Sequence, residues 1–190
     1  MAVGIYGGTF DPVHVGHIIT AQRVLEKRNL EKIIFIPAYI SPLKTDKKYA
    51  PPEHRLNMLK LGLEETDNFI TSDIELKRKN VSYTIDTLKE LKKTYEEIEL
   101  IIGYDNLLVF HKWHKPDEIL ELCKLVVLHR KVDIEPKEKN IYFDKAEILD
   151  TPTIEISSTE IRERIEKNLP IDFLVPLKVK EYIYTNGLYK

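Results

Sequence analysis

Four short apolar runs alternate with longer amphipathic stretches along this chain, and the alternation restricts its fold more than any other feature. The apolar runs cover residues 2–6, 32–36, 98–102 and 124–128. Near-continuous apolar runs of this length are typical of parallel strands that are buried on both faces. Helical spacing is found in the stretches near 17–28, 52–65, 84–95 and 116–123. The pattern therefore predicts a doubly wound, mainly parallel α/β sheet.

The last third of the chain continues the pattern less clearly. Residues 131–140 are charged and aperiodic and predict a loop, whereas residues 141–149 predict one more strand. Two C-terminal helices are expected at 157–167 and 177–184. At 190 residues, the whole chain fits a single domain, 1–190, whose C-terminal helical part begins near residue 156.

Composition excludes several classes of function. The net charge is −2, from 29 Lys and Arg against 31 Asp and Glu, which argues against a protein that coats nucleic acid. No apolar run approaches the ~20 residues of a membrane helix, and a strand so close to Met1 argues against a secretory leader. Cys123 is the single cysteine, so an intramolecular disulfide is impossible. We expect a cytoplasmic protein without nucleic-acid or membrane partners.

A glycine-rich string follows the first apolar run directly. Residues 7–17 read Gly-Gly-Thr-Phe-Asp-Pro-Val-His-Val-Gly-His. Glycines at the end of a buried strand allow a ligand to approach the backbone, and His14 and His17 are spaced to share one helix face. Gly16 leaves room between the two rings. Small residues, two imidazoles and a helix N-terminus together predict a phosphate site.

A proline-flanked loop after the second predicted strand ends in Lys44. Because this loop leaves the same sheet edge, Lys44 is either a phosphate ligand or a solvated loop lysine. His54 and Arg55 open the next predicted helix. They either flank the same pocket or lie at an exposed helix start, and their role stays open.

The string Ser82-Tyr83-Thr84-Ile85-Asp86-Thr87 precedes a predicted helix. Ser82 or Thr84 is expected to cap this helix. The first-turn amides of the helix would then bind a carboxylate or a phosphate, or else the string serves capping alone.

The strand at 98–102 is followed by Gly103, and Asp105 lies where an acidic residue can accept ribose hydroxyls. Trp113, the single tryptophan, has Lys112, His114 and Lys115 as neighbours in sequence. It is either a stacking surface for a ligand ring or a half-buried side chain packed on Phe110.

The last polar group of interest is the helix start at residues 156–162, Ile-Ser-Ser-Thr-Glu-Ile-Arg. Ser157, Ser158 and Thr159 would cap the helix, and together with Arg162 they would form an anion site. Arg130, at the end of the strand 124–128, is a weaker candidate for the same edge.

These strings resemble the HIGH-type nucleotidylyltransferase superfamily, and the form GGTFDPVHVGH resembles its bacterial nicotinate-nucleotide adenylyltransferase branch. The family pattern I-G-x-D-x-L-x-x-F-x-x-W matches from Ile102 to Trp113, and S-Y-T-x-D-T and I-S-S-T-x-I-R match as well. The resemblance implies catalytic roles for His14, His17, Lys44 and Arg162. It implies ATP contacts by Gly7, Gly8, Thr9, Phe10, His14, Gly16, His17, Asp105, Ser157, Ser158, Thr159 and Arg162. It implies nicotinate-nucleotide contacts by Gly8, Lys44, Ser82, Tyr83, Thr84 and Trp113.

The reaction implied by the resemblance joins ATP to nicotinate mononucleotide, with Mg²⁺ carried by the ATP phosphates and no dedicated protein metal site. A homo-oligomer is compatible with the sequence. Three alternatives stay open: another nucleotidylyltransferase of this fold, such as a phosphopantetheine one, a zinc hydrolase built on His14 and His17, and a nucleotide sensor without turnover.

Overall fold

Six parallel strands form one sheet in the computed structural model, which describes residues 1–42, 49–129 and 139–190. The strands are β1 (Val3–Gly8), β2 (Lys32–Pro37), β3 (Phe69–Thr71), β4 (Ile98–Gly103), β5 (Lys124–His129) and β6 (Ala146–Asp150). Their spatial order is β3-β2-β1-β4-β5-β6. The chain starts in the middle of the sheet, builds one half, and returns to build the other. Ligands bind at such a reversal, beyond the carboxyl ends of the central strands.

Eight α-helices connect and cover these strands in the described part of the chain. They are α1 (Val15–Arg28), α2 (Pro52–Leu63), α3 (Ile74–Arg78), α4 (Thr84–Leu91), α5 (Tyr104–Leu108), α6 (Pro116–Leu122), α7 (Ser158–Glu166) and α8 (Leu177–Thr185). Short 3₁₀ turns occur at Phe110–Lys112 and Phe143–Lys145. Among the helices of the described residues, none is long and apolar enough to cross a membrane.

Alternate residues of the central strands face two separate apolar cores. In β2, Ile33 and Phe35 join the core formed with α1, α2, α7 and α8, whereas Ile34 and Ile36 join the core formed with α4 and α6. All four side chains are at most 2% exposed. This burial on both faces explains why the strand reads as a continuous apolar run. The prediction of a doubly wound parallel sheet with C-terminal helices is confirmed.

The predicted strands and helices agree with the observed ones within a few residues. The helix predicted at 84–95 is shorter in the structure, where α4 ends at Leu91. Of the strand predicted at 141–149, only the second half forms β6, because Phe143–Lys145 is a 3₁₀ turn. The prediction for residues 131–140 falls mostly outside the described residues.

Three elements have no counterpart in the predictions. They are the edge strand β3, which is three residues long, and the five-residue helices α3 and α5. Elements this short hold too few residues to show a period. β3 forms because β2 pairs with it, from Ile33 opposite Phe69 to Phe35 opposite Thr71.

Candidate active site

A cavity of about 920 Å³ lies at the carboxyl edge of the sheet, beyond the point where the pairing of β1 with β4 ends. Every described residue that the sequence predicts for the site lines this cavity. These residues are Gly7, Gly8, Thr9, Phe10, His14, Gly16, His17, Ser82, Tyr83, Thr84, Asp105, Trp113, Ser157, Ser158, Thr159 and Arg162. Lys44 and Arg130 lie outside the described residues.

The two histidines stack at the start of α1. His14 is the residue before the helix, and its ring lies 3.7 Å from the ring of His17, centroid to centroid. The backbone amide of His14 donates to Nδ1 of His17 over 3.2 Å. Because Nδ1 accepts this hydrogen bond, the ring proton of His17 is on Nε2. The helix start thus fixes the tautomer and places the ring N–H at Nε2.

Burial has a strong effect on His14, which is 7% exposed. Removal from water lowers the pKa of His14 to about 4, because the charged imidazolium loses hydration. His14 is therefore neutral near pH 7 and acts as a hydrogen-bonding group there. Its Nδ1 atom is buried and has no hydrogen-bond partner among the described residues.

Two glycines make room for this arrangement. A Cβ atom at Gly16 would lie 3.0 Å from Nδ1 of His14, so Gly16 provides space for the His14 ring itself. A Cβ atom at Gly8 would lie 2.9 Å from the ring of Phe10. Phe10 is 2% exposed and has φ of +48°, and its ring packs against Tyr6 and Phe35. The Phe10 ring occupies the space that a side chain at Gly8 would need. The backbone of the glycine turn therefore remains the part that can contact a ligand.

A buried arginine lies behind the turn, and its burial was not predicted from the sequence. Arg55 is 2% exposed, and its guanidinium donates to the carbonyl oxygens of Thr9 (2.9 Å), Ala38 (2.7 Å) and Ala50 (3.1 Å). Burial lowers the pKa of Arg55, and the charge of Asp11 opposes that effect. The exposed-helix-start interpretation of Arg55 is wrong, because its side chain points inward and joins three segments.

The start of α7 is attached to the glycine-rich string. Ser157 caps α7 by accepting from the amide of Glu160 over 3.1 Å, as the sequence predicts. Ser158 donates to the carbonyl oxygen of Pro12 over 2.9 Å, and Arg162 donates to the carbonyl oxygen of Asp11 over 2.7 Å. The two sequence-distant halves of the predicted phosphate site are therefore in direct contact.

The other end of the cavity is aromatic. Trp113 packs on Phe110 with ring centroids 5.0 Å apart, and its Nε1–H is buried without an acceptor among the described residues. Tyr83 packs against His114 at 4.6 Å. The interpretation of Trp113 as a half-buried side chain packed on Phe110 is therefore confirmed. The residue also lines the cavity, and its stacking on a ligand ring stays a prediction.

The capping role predicted for Ser82 or Thr84 is wrong. Tyr83 precedes α4, and no side chain of the described residues caps this helix. The hydroxyl of Ser82 instead accepts from the amide of Tyr39 over 2.9 Å and so ties α4 to the loop after β2. The first-turn amides of α4 therefore lack a side-chain cap at the cavity wall, where Thr84 lies.

Glu75 is a second buried group that sequence reasoning missed. It is 7% exposed, accepts from the hydroxyl of Thr87 over 2.6 Å, and pairs with Arg78 at 3.7 Å. Burial raises the pKa of Glu75. No periodic pattern marks it, because α3 is only five residues long.

The described residues contain no cluster of three or more His, Cys, Asp or Glu side chains placed to hold a metal ion. A zinc site on His14 and His17 would need at least a third protein ligand. The described residues do not provide one, which disfavours the zinc-hydrolase alternative.

Comparison with known proteins identifies the family. The cytidylyltransferase-like family model matches residues 5–164. A protein of Caldicellulosiruptor saccharolyticus named "probable nicotinate-nucleotide adenylyltransferase" is 41% identical, and the match covers 100% of both chains. The nicotinate-nucleotide adenylyltransferase of Bacillus subtilis is 39% identical over 99% of this chain and 98% of its own. The chain belongs to the nicotinate-nucleotide adenylyltransferase family. It is therefore a nucleotidyltransferase by descent.

A solved structure shares the fold of this chain. It is the Plasmodium falciparum nicotinic acid mononucleotide adenylyltransferase complexed with NaAD, which matches with a TM-score of 0.80 over 99% of this chain and 97% of its own. Sequence identity is 19%, so the likeness concerns the fold.

The buried position of His14 predicts a pH-dependent stability. Below its ordinary pKa of about 6.5, the unfolded chain binds a proton at His14 that the folded protein excludes until about pH 4. Stability from this residue is complete above about pH 6.5 and is lost as the pH falls. We expect His14 to account for a loss of about 2 kcal/mol in the free energy of unfolding as the pH falls from about 7.5 to about 5.

Urea unfolding at both pH values measures this effect in the natural protein and in His14→Asn. Asn does not titrate and is a favourable residue before a helix. The other titratable groups contribute equally in both proteins. The difference between the pH dependences of the two proteins therefore isolates the contribution of His14. Identical pH dependences in the two proteins would contradict the assignment.

Proposed function

We propose that this chain transfers the adenylyl group of ATP to nicotinate mononucleotide, giving nicotinate adenine dinucleotide and pyrophosphate. One observation carries the proposal: the described residues predicted for each of the two substrates line one continuous cavity. The family assignment supports the same reaction. Because Cys123 is the single cysteine, we also propose a cytoplasmic location.

In the proposed reaction, a phosphate oxygen of the mononucleotide attacks the α-phosphorus of ATP in line. The new P–O bond forms as the bond to pyrophosphate breaks, and the pyrophosphate takes the bonding electron pair. Catalysis of this kind depends on positioning and on stabilising charge. The residues do not need to form a covalent intermediate.

His14, His17 and the start of α7 form the proposed ATP-phosphate end. The Nε2–H of His17 donates to the phosphate oxygens, and Arg162 neutralises the departing pyrophosphate, with Lys44 in the same role. The hydroxyls and amides of residues 157–159 hold the phosphates at the α7 start. Asp105 accepts from the ribose.

Mg²⁺ supplies charge neutralisation when it is bound. Such ions are commonly held through substrate phosphates and water, so the absence of a three-ligand cluster from the described residues is compatible with Mg²⁺ carried by ATP.

The aromatic end, with Ser82, Tyr83, Thr84 and Trp113, is the proposed nicotinate-nucleotide end. The pyridine ring stacks on Trp113, and the nicotinate carboxylate accepts from the first-turn amides of α4. The uncapped amides and the unpartnered Trp113 N–H are donors that a bound anion would satisfy.

Pyrophosphate release tests the proposal most directly. Purified protein is mixed with ATP, Mg²⁺ and either nicotinate mononucleotide, nicotinamide mononucleotide or phosphopantetheine. We expect release with nicotinate mononucleotide. Release with phosphopantetheine alone would favour another nucleotidylyltransferase of this fold, and binding without release would favour a nucleotide sensor.

Replacement of His17 tests its role in the transition state. We expect His17→Ala to lower kcat by ~10²–10³-fold, as for the loss of one donor to developing charge. It also removes the acceptor for the His14 amide, at about 1–3 kcal/mol of stability. His17→Gln is the control, because Gln at this helix position can accept from the preceding amide. Near-normal turnover in both variants would remove His17 from the mechanism.

Replacement of Trp113 tests the stacking assignment. We expect Trp113→Leu to raise the KM for nicotinate mononucleotide about tenfold or more and to leave the KM for ATP unchanged, because stacking contributes about 1–3 kcal/mol per base. Leu retains apolar contact with Phe110, so loss of folding is limited. Trp113 is the only indole, and nicotinate mononucleotide should change its fluorescence. Unchanged fluorescence and a normal KM would contradict stacking.

The uncapped start of α4 predicts a preference for the acid over the amide. Backbone amides are donors only, so they fit a carboxylate, whereas the NH₂ of nicotinamide would face another donor at a cost of about 1–3 kcal/mol. We expect kcat/KM to favour nicotinate mononucleotide over nicotinamide mononucleotide by at least ~10-fold. Equal kcat/KM values would contradict this prediction.

Thr84→Pro identifies the donor responsible. Thr84 is the first residue of α4, where proline is tolerated and removes one N–H, and Tyr83 already has the extended backbone that precedes proline. We expect Thr84→Pro to reduce the acid preference, whereas Thr84→Ala, which retains the N–H, should keep it.

A further inference from the structure

The chain turns back on itself after α8. Gly187 has φ of +60°, its amide donates to the carbonyl oxygen of Tyr184 over 3.2 Å, and the amide of Leu188 donates to that of Ile183 over 3.0 Å. This pair of hydrogen bonds is a Schellman motif, in which glycine adopts the left-handed conformation most easily. The turn directs Tyr189 toward the interior, where it packs on the core beside α2.

The hydroxyl of Tyr189 reaches the glycine-rich string. It donates to Oδ1 of Asp11 over 2.6 Å and lies 3.9 Å from Sδ of Met58. Asp11 is 1% exposed. Burial and the nearby carboxylate raise the pKa of Tyr189 far above its usual range, so the hydroxyl remains a donor.

Asp11 in turn contacts the phosphate end of the cavity. Its Oδ2 lies 3.8 Å from a guanidinium nitrogen of Arg162, and the same nitrogen donates to the Asp11 carbonyl oxygen. The amide of Ala50 donates to the carboxylate over 3.2 Å, and among the described residues Arg55 and Tyr49 are further charged or titratable groups around it. The buried carboxylate is therefore held by Tyr189 on one side and is close to Arg162 on the other.

We propose that Tyr189 is a positioning residue for adenylyl transfer: its hydroxyl fixes the carboxylate of Asp11, and Asp11 holds Arg162 at the phosphates of ATP. This inference rests on the proposed function for the role of Arg162. Arg162 uses two of its five N–H donors on Asp11 and Thr159, and it lines the cavity. A change in the Asp11 carboxylate would shift the guanidinium relative to the ligand.

A purely structural role for the Tyr189 hydroxyl is the competing explanation, and Tyr182 provides a matched control for it. The Tyr182 hydroxyl, on α8, also makes tertiary hydrogen bonds: it accepts from Nδ2 of Asn57 over 3.0 Å and shares a hydrogen bond of 2.9 Å with Nδ1 of His54. Neither partner lines the cavity. Tyr182→Phe therefore removes a comparable contact on the same segment without touching the phosphate end.

The test compares Tyr189→Phe with Tyr182→Phe in the full chain. Both variants should lower the Tm by a similar small amount, about 2–4 °C. Tyr189→Phe alone should raise the KM for ATP and the Kd for Mg²⁺-ATP by about tenfold, an effect within the range for residues that act on a ligand through other residues. Its KM for nicotinate mononucleotide should stay within about twofold. Equal ATP affinity in the two variants would overturn the proposal.

Titration of Mg²⁺-ATP by calorimetry separates this inference from the proposed function. If the natural protein releases no pyrophosphate, the proposed reaction fails, but the Kd values of the two variants still decide the role of Tyr189. If the natural protein binds no ATP, the positioning role is overturned as well.

A double-mutant cycle tests whether Tyr189 acts through Asp11. In the Asp11→Asn background, Tyr189→Phe should add less than about a twofold change in ATP affinity, because coupled residues are not additive. Additive effects would contradict the link through Asp11. If Asp11→Asn does not fold, the comparison of Tyr189→Phe with Tyr182→Phe decides.

Discussion

The guanidinium of Arg55 is buried where the glycine turn after β1, the loop after β2 and the segment before α2 meet. Its donors bind carbonyl oxygens of all three segments, and the negative charge of Asp11 opposes the effect of burial on its pKa. A buried charge is costly unless it is paired and hydrogen-bonded, so these segments are held together as a set. The backbone of the glycine-rich string owes its position at the cavity to this arrangement.

The fold was predictable where burial produces a repeating pattern. Strands such as β2 bury both faces and therefore appear as unbroken apolar runs, and the helices show one apolar side. β3 and α3 were missed because they are stabilised by pairing and packing with neighbours that are distant in the sequence. Ala146–Asp150 is mostly exposed, so the apolar signal for β6 was weak and its start was misplaced.

The candidate site was predictable from residue types but not from their contacts. Turn glycines, histidines and the serine cluster show their chemistry in the sequence, and all of those described do line the cavity. Glu75 and Tyr189 carry no comparable local signal, and the position of Arg55 at a helix start left its role open. Their importance comes from burial against residues that are distant in the sequence. The residue type alone, charged or aromatic, does not reveal such burial. The prediction that Ser82 caps α4 was wrong for the same reason, because the Ser82 hydroxyl accepts from the amide of Tyr39, which is distant in the sequence.

The hydrogen bonds from α7 to the carbonyl oxygens of Asp11 and Pro12 join residues 151 and 146 positions apart. Contacts of such separation close long loops, and the chain entropy of each loop is lost before the contacts are gained, so we expect them to form late in folding. A partly folded chain with β1 and its glycine turn would then lack the half of the phosphate end supplied by α7. Nucleotide affinity would therefore report on completion of the native structure.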